Sequence, residues 1–243
     1  MELRTKANYD ELSAATADLI ARQIQHKPDS LLCFPSGDTP TGTFTILVNH
    51  SKEGKISFSQ CHFIGLDEWV GMDRNDKGSC QYYMYTQFFE PAKIPPSRIT
   101  FFDAKATDLL SECKRVDQII FDRGPLDLVI VGVGLNGHIG LNEPGTAFDT
   151  YCHISQLEET TKKVGQKYFS ASTPLKSGIT VGLKHIIEAR CVVVIASGEK
   201  KAGIIKKIVT GPVTEQVPGS ILQHHQNAVF ILDEAAASQL KST

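Results

Sequence analysis

Four polar side chains lie close together in a glycine-rich stretch of the sequence, at Asn136, His138, Asn142 and Glu143. An imidazole and a carboxylate can accept and return protons near neutral pH, and amides can hold both groups in position. The intervening glycines let the backbone turn sharply or approach a ligand closely. This pattern predicts a proton-transfer site, although a glycine-rich turn with a surface histidine would have the same composition.

An apolar run at residues 126–133 leads directly into these polar groups. The run is rich in β-branched residues and too short to cross a membrane, so it predicts a central parallel strand covered on both faces. Ligands of open α/β sheets bind outside the carboxyl ends of the strands. The polar stretch therefore begins where a binding site is expected.

A second polar segment, Pro-Ser-Gly-Asp-Thr-Pro-Thr-Gly at residues 35–42, separates a short strand at 30–34 from a helix. Backbone N–H groups of such a loop and of the first helical turn can bind an oxyanion. Hydroxyl groups add donors at Ser36, Thr39 and Thr41. No Gly-Lys-Ser/Thr follows, so the segment is not a Walker loop. It predicts a phosphate site, with an ordinary capped turn as the simpler alternative.

Charged side chains follow two further predicted strands. The strand at 62–66 leads into Asp67 and Glu68, and the strand at 191–196 is followed by Lys201 at the start of a helix. Adjacent side chains of a strand point to opposite faces, so at most one of the two acids can face a pocket. The alternative is a helix-capping Asp67 beside a solvated Glu68.

Strands alternate with helical segments along the chain. This order predicts an α/β fold with one doubly wound, mostly parallel sheet in a single domain over residues 1–243. A final strand at 228–232 and a helix after it complete the pattern. In a parallel sheet the four polar junctions would open at the same edge: residues 35–42, 67–69, 134–143 and 197–201.

A pocket at that edge would suit a phosphorylated small molecule that undergoes proton transfer. A metal centre fits less well, because His224 and His225 are adjacent and His138 has no histidine nearby. A Ser-His-Asp hydrolase also fits poorly, since no Gly-x-Ser-x-Gly motif is present. We therefore expect neither a metal nor another cofactor.

The composition limits the partners of the chain. Its 243 residues are 41% hydrophobic, and a net charge of -2 without a basic stripe argues against nucleic acid and anionic lipid. The six cysteines are scattered without a CxxC pair, which indicates a reducing compartment. We find no signal-peptide core and no apolar stretch of membrane-helix length, so we expect the cytoplasm. The number of subunits stays open, and a homo-oligomer is among the options.

Four motifs together resemble the amino-sugar-6-phosphate deaminase/isomerase family: Pro-Ser-Gly-Asp-Thr-Pro-Thr-Gly (35–42), Leu-Asp-Glu-Trp-Val-Gly (66–71), Gly-Val-Gly-Leu-Asn-Gly-His-Ile-Gly-Leu-Asn-Glu-Pro-Gly (132–145) and Gly-Glu-Lys-Lys-Ala (198–202). The resemblance runs over nearly the whole chain in the family's order. It implies a Rossmann-like fold of the sugar-phosphate isomerase type. The implied enzyme, which we class as isomerase, deaminase and hydrolase, converts glucosamine or galactosamine 6-phosphate into ketohexose 6-phosphate and ammonia. Leu-Asp-Glu-Trp and the sequence at 152–157 are closer to the galactosamine branch.

The resemblance also implies a role for individual residues. Asp67 would move the C2 proton, and His138 would open the pyranose ring. Glu143 would orient and charge-balance the imidazole, with support from Asn136. The 6-phosphate would be held by Ser36, Gly37, Asp38, Thr39, Thr41, Gly42 and Lys201.

Two positions depart from the family pattern. Lys167 stands where the family has a phosphate-binding arginine, and lysine lacks the bidentate fork, which argues against phosphate binding by this segment. His153-Ile154-Ser155 replaces the Arg-Ile-Lys pattern of the activator site in hexameric members. We therefore predict no activation by an N-acetylamino-sugar 6-phosphate.

Two other functions fit a similar fold. A 6-phosphogluconolactonase would use the histidine to activate water, but its pattern ends in a Phe-Pro-Gly-like sequence, whereas Asn-Glu-Pro-Gly here adds a carboxylate. A sugar-phosphate sensor of a repressor would carry a DNA-binding helix-turn-helix. The N-terminal region shows one helix, at 9–26, and no basic recognition element.

Overall fold

Two β-sheets form the framework of the computed structural model, which describes residues 1–240. Numbered along the chain, the strands are β1 (Glu2–Lys6), β2 (Leu31–Phe34), β3 (His62–Gly65), β4 (Asp67–Trp69), β5 (Ile99–Thr100), β6 (Leu128–Gly132), β7 (His153–Gln156), β8 (Ser177–Thr180), β9 (Val192–Ala196) and β10 (Ala228–Asp233). The larger sheet is parallel throughout, in the order β1-β10-β9-β6-β2-β3-β5. The smaller sheet is antiparallel, in the order β4-β8-β7.

Helices connect the strands and cover the parallel sheet. They are α1 (Tyr9–His26), α2 (Thr41–Lys52), α3 (Cys80–Met84), α4 (Leu109–Arg123), α5 (Glu159–Gly165), α6 (Leu183–Glu188) and α7 (Ala202–Thr210). A π-helical segment, Tyr85–Phe89, continues α3. No helix among residues 1–240 has both the length and the apolar character needed to span a bilayer.

Alternate side chains of the central strands pack against opposite faces of the parallel sheet. In β6, Leu128 and Ile130 join the apolar core beneath α1 and α2, whereas Val129 and Val131 join the core beneath α4, α6 and α7. Strands that are buried on both faces have such continuous apolar runs. The predicted α/β fold with a doubly wound, mostly parallel sheet is confirmed.

The strand order reverses between β2 and β6. From β2 the chain continues to β3 and β5 on one side, whereas β6, β9 and β10 lie on the other. A crevice opens outside the carboxyl ends of the strands at such a reversal. The polar segments that follow β2 and β6 therefore flank the same crevice.

The smaller sheet was not expected from the sequence. Asp67 of β4 pairs with Thr180 of β8, and His153 of β7 pairs with the same threonine from the other side. Both β4 and β8 are too short to show a clear alternation of polar and apolar residues. This sheet matters for the site, because it fixes the backbone of Asp67.

At one end of the chain the structure adds a strand, and at the other end a prediction needs correction. The charged segment Glu2–Lys6 forms an edge strand parallel to β10, and its exposed side chains hide the strand pattern. The helix predicted after the last strand is wrong. Residues 234–240 form turns instead, because Asp233 Oδ1 accepts the N–H of Ala236 at 2.7 Å and closes a tight turn at the end of β10.

Candidate active site

One cleft lies at the carboxyl ends of β9, β6, β2 and β3, and all four predicted polar segments contribute to its lining. These predicted site residues line it: Ser36, Gly37, Asp38, Thr39, Asp67, His138 and Lys201. The others lie behind this lining: Thr41, Gly42, Asn136 and Glu143. Since these four strands are neighbours in the parallel sheet, segments far apart in sequence meet around one volume.

Asp67 is a buried carboxylate that faces this cleft. It is the first residue of β4, it pairs with Thr180, and only 9% of it is exposed. Burial raises the pKa of Asp67 to about 6, and the Cys80 thiol and His138 offset this only in part. A carboxylate with a pKa near neutrality can both take up and release a proton, as a general base must.

Glu68 lies outside the cleft and holds the start of α3. Its carboxylate accepts hydrogen bonds from the backbone N–H groups of Trp69 at 2.8 Å, Cys80 at 2.9 Å and Gln81 at 2.8 Å. The first N–H groups of a helix have no partner within the helix, so a carboxylate there stabilises its start. The alternative of a capping Asp67 with a solvated Glu68 is wrong, because the glutamate is buried and caps the helix.

A second carboxylate lies behind the imidazole of His138. Nδ1 of His138 is 3.5 Å from Glu143 Oε2 and 3.1 Å from Thr161 Oγ1. Asn136 Nδ2 donates to the same Glu143 oxygen at 2.8 Å. Burial favours a raised pKa for Glu143, but its contacts with these side chains outweigh burial and hold that pKa below the ordinary value. The carboxylate therefore stays ionised and can stabilise a positive charge on the imidazole.

Close packing fixes the loop that carries His138. A Cβ on Gly134 would lie 2.3 Å from the imidazole ring, and the Gly134 N–H donates to the His138 carbonyl at 2.9 Å. Asn142 is buried, and its Nδ2 donates to the carbonyls of Ile139 at 2.8 Å and Val181 at 3.0 Å. Asn142 thus anchors the loop to the end of β8 and does not line the cleft.

The loop after β2 presents free hydrogen-bond donors to the cleft. Within residues 1–240, the backbone N–H groups of Ser36, Gly37 and Thr39 donate to no protein acceptor. Gly37 has a φ of 100°, a conformation that favours glycine. The helix α2 begins directly after this loop without a side-chain cap at Pro40. Unpaired N–H groups before a helix start suit an oxyanion.

Thr41 and Gly42 support the loop from behind. The Thr41 hydroxyl donates to the Gly37 carbonyl at 3.2 Å and lies 3.0 Å from the Tyr83 hydroxyl. The Gly42 N–H donates to the Tyr9 hydroxyl at 2.8 Å. These bonds occupy donors that the sequence predicts for phosphate, so Thr41 and Gly42 support the loop and do not line the cleft.

Two lysines from different segments line the cleft. Lys201 Nζ donates to the Val133 carbonyl, and Lys167 Nζ lies 2.6 Å from Asp38 Oδ2. Burial, with a smaller effect from Lys167, lowers the pKa of Lys201 to about 8. The lining thus carries two ammonium groups and two carboxylates, Asp38 and Asp67, and the Lys201 ammonium, whose contact is a carbonyl, suits an anionic ligand. Lys167 thus faces the cleft despite its missing guanidinium fork, and it can offer an anion a single positive charge without a bidentate contact.

The sequence offers no motif for three further residues of the site. Thr161 of α5 contacts His138, and Cys80 lies in the cleft beside Asp67. Tyr168 has its hydroxyl 3.0 Å from where a Cβ on Gly37 would stand. Both Thr161 and Tyr168 belong to a charge-rich connection that predicts a solvated surface, and only tertiary packing brings them to the cleft.

A cleft that combines proton transfer with anion binding at the reversal of a parallel sheet defines a sugar-phosphate-converting enzyme of the α/β class. The family model described as glucosamine-6-phosphate isomerases/6-phosphogluconolactonase matches residues 4–231. The chain belongs to this family, as the four motifs predict.

Curated relatives match nearly the whole chain. A protein of Shouchella clausii named glucosamine-6-phosphate deaminase is 38% identical over 232 residues, which cover 95% of this chain and 94% of the relative. A protein of Clostridium acetobutylicum with the same name is 36% identical over 241 residues, covering 99% of this chain and all of the relative.

Solved structures share the fold. The structure of a monomeric glucosamine-6-phosphate deaminase has a TM-score of 0.95 and 33% sequence identity, covering 98% of this chain and 100% of that one. The 6-phosphogluconolactonase of Trypanosoma brucei has a TM-score of 0.75 at 20% identity, covering 98% of both chains. The second likeness, at such low identity, concerns the fold alone.

The predicted class of hydrolase is wrong. The relatives are named deaminases and the family model is described by isomerases, which points to isomerase and lyase chemistry. The predicted isomerase and deaminase classes are confirmed.

We expect Asp67→Asn to stabilise the fold above pH 6. The folded-state pKa of about 6 lies above the ordinary value of 3.8, so the ionised carboxylate destabilises the folded state. By linkage this cost is about 2–3 kcal/mol at pH 8, and it declines as the pH falls through 6 toward 3.8. Urea unfolding at pH 8 and pH 5 should show a larger gain at pH 8.

The exchange of the exposed Asp18 to asparagine provides the control for the loss of one charge. A raised pKa at this position would be contradicted if Asp67→Asn did not increase the free energy of unfolding, or if the increase grew as the pH fell.

Proposed function

We propose that this chain converts glucosamine 6-phosphate into a ketohexose 6-phosphate and ammonia. The observation that carries the proposal is the meeting of Asp67 and His138 with Lys201 and the loop at 36–39 in one cleft. A substrate that uses all of these groups needs an anionic end and a carbon acid next to a masked carbonyl. Hexosamine 6-phosphates have both, and the sequence relatives are named for the gluco form.

The phosphate is held at one end of the cleft. Ser36, Gly37 and Thr39, whose N–H groups have no protein acceptor, line that end together with Lys167 and Lys201. Asp38 pairs with Lys167 in the structure, so binding of a dianion would replace or extend that ion pair. Energy gained at this remote group fixes the open chain of the sugar in the geometry for reaction.

His138 opens the pyranose ring. An imidazole can take the proton of the C1 hydroxyl and deliver one to the ring oxygen, which gives the open-chain aldose. The ionised Glu143 stabilises the imidazolium that forms in between, and Asn136 holds that carboxylate in place. Thr161 contributes a further contact to Nδ1 of the same ring.

Asp67 then transfers the proton between two carbons. Its carboxylate removes the proton from C2 of the amino aldose to give a cis-enolamine, and returns a proton to C1 on the same face. The product is a 2-imino sugar phosphate. Water adds at C2 and ammonia leaves, so the C–N bond breaks with no net oxidation.

The remaining features of the proposal concern the setting of the enzyme. We propose that residues 1–243 act as one catalytic domain on a free small molecule, without nucleic acid, in the cytoplasm. The six cysteines of the chain are free thiols, which suits a reducing compartment. A monomer is favoured over the homo-oligomer that the sequence leaves open, because a monomeric deaminase is 33% identical over nearly the whole chain.

We predict that ammonia is released from glucosamine 6-phosphate with a hyperbolic rate curve. Galactosamine 6-phosphate is the necessary parallel substrate, because the sequence at 66–69 and 152–157 is closer to that branch. An N-acetylamino-sugar 6-phosphate should leave the rate unchanged, since His153-Ile154-Ser155 replaces the activator-site pattern.

Three outcomes would change the assignment. A higher kcat/KM with galactosamine 6-phosphate would change the assigned substrate and leave the proposed reaction unchanged. Acid production from 6-phosphogluconolactone without ammonia release would replace deamination by lactone cleavage. Tight sugar-phosphate binding with no turnover of any of them would indicate a sensor.

We expect Gly134→Ala to lower kcat/KM about 100-fold, because its Cβ would displace the imidazole of His138 from its place against Glu143. Gly203→Ala is the matched control, since this exposed glycine of α7 lies outside the cleft and a Cβ there would meet only the Gln239 side-chain oxygen, at 3.9 Å, so we expect activity within about twofold of the parent. Thermal melting of both variants separates loss of catalysis from loss of fold. Equal activities of the two variants would show that the position of the His138 imidazole does not matter for the reaction.

A further inference from the structure

A second group of reactive side chains lies outside the cleft, on the face of the molecule that carries α4. Asp117 comes from α4, Cys152 directly precedes β7, and His185 comes from α6. One oxygen, sulfur or nitrogen atom from each lies within 4.8 Å of the others. None of the three lines the cleft, and the proton transfers above use none of them.

The contacts among these residues all pass through the carboxylate. Asp117 Oδ1 lies 2.7 Å from His185 Nε2 and accepts the backbone N–H of Cys152 at 3.0 Å. Cys152 and His185 are buried, whereas the Asp117 side chain keeps 17% of its surface exposed. The protein therefore covers the thiol and the imidazole, and the carboxylate is the point at which an ion from solvent can reach the three residues.

We propose that Asp117, Cys152 and His185 form a binding site for a thiophilic divalent cation, with Zn²⁺ as the expected ion. Thiolate sulfur, imidazole nitrogen and carboxylate oxygen are the three ligand types that zinc takes in proteins. A site with one of each excludes Mg²⁺ and Ca²⁺, which require oxygen ligands. Water at the exposed side of Asp117 completes a tetrahedral shell.

Binding requires small local changes. The Cys152 thiol loses its proton to solvent, and His185 presents the lone pair of Nε2 with its proton on Nδ1. Bonds of about 2.0–2.3 Å to a tetrahedral ion place the ligand atoms roughly 3.3–3.8 Å apart. The 2.7 Å contact between the Asp117 oxygen and the His185 nitrogen must therefore open by about 0.6–0.7 Å, which side-chain rotation supplies.

The competing interpretation is a metal-free hydrogen-bonded link between α4 and α6. It explains the Asp117–His185 contact, with Cys152 as a buried member of the apolar core. The proposed site differs from it in using the Cys152 sulfur as a ligand, which a metal titration can detect. The cation would add a bond to Cys152, directly before β7. Strand β7 pairs with β8, and β8 pairs in turn with β4, which begins at Asp67. A bound ion would therefore brace the small sheet that carries the cleft carboxylate.

Cobalt tests the proposal directly, because a thiolate bound to Co²⁺ gives a charge-transfer absorption that nitrogen and oxygen ligands do not give. Titration of the purified metal-free full chain with Co²⁺ should give this band at one equivalent, and Zn²⁺ should abolish it by displacement. Cys152→Ser should lose the band, and His185→Gln should weaken Zn²⁺ binding at least tenfold. Cys191→Ser, a thiol on the segment before β9, is the matched control and should keep it.

Two results would overturn the site. One is the absence of a thiolate band in the parent protein. The other is a band that survives Cys152→Ser and disappears in Cys80→Ser, which would place the ion in the cleft beside Asp67. Thermal melting guards against misfolded variants, because Zn²⁺ should raise the Tm of the parent and of Cys191→Ser and leave that of Cys152→Ser unchanged.

Discussion

The burial of Asp67 is the constraint on which the rest of the site depends. A carboxylate withdrawn from water at the end of a strand is costly unless its surroundings are held firmly. Pairing of β4 with β8 fixes its backbone, and Glu68 ties the next residues to the start of α3. The helix in turn places the Cys80 thiol beside the carboxylate. The small antiparallel sheet thus fixes the position of the carboxylate that we propose as the base.

Two carboxylates of the site are set to opposite states by their neighbours. Asp67 has few polar contacts, and burial raises its pKa to about 6. Glu143 is also buried, yet its contacts with Asn136, His138 and Thr161 keep its pKa low. Pairs of acids whose environments separate their pKa values are a common way to divide base and charge-stabilising functions. The division here follows from the hydrogen bonds and not from the residue type.

Much of this arrangement can be predicted from the sequence. The apolar run at 126–133 and the polar segments after it indicate the sheet, its carboxyl edge and the meeting of Asp67, His138 and Lys201. These predictions rest on periodicity and on the geometry of parallel strands, which are local in sequence or general to the fold. The motif resemblance adds the family, which the relatives confirm.

Other features depend on contacts between distant segments, and the sequence alone does not contain them. From the sequence, Glu68 resembles a solvated acid, because its contacts with the N–H groups at the start of α3 depend on the tertiary structure. Thr161 and Lys167 lie in a charged connection whose composition predicts a solvated face. Likewise, Gly42 is part of a phosphate-like loop, but its N–H is taken by Tyr9, which is 33 residues away in the chain. Partners of this kind are set by tertiary packing.

Catalysis by Asp67 is the claim that most needs a direct measurement. Turnover of glucosamine 6-phosphate by Asp67→Asn should fall about 1000-fold, because the amide cannot take the C2 proton. Calorimetric binding of the substrate should stay within about threefold of the parent, since the proposed phosphate contacts, at residues 36–39 and the two lysines, do not involve Asp67. Turnover near that of the parent would show that another group moves the proton and that the buried carboxylate is not the base.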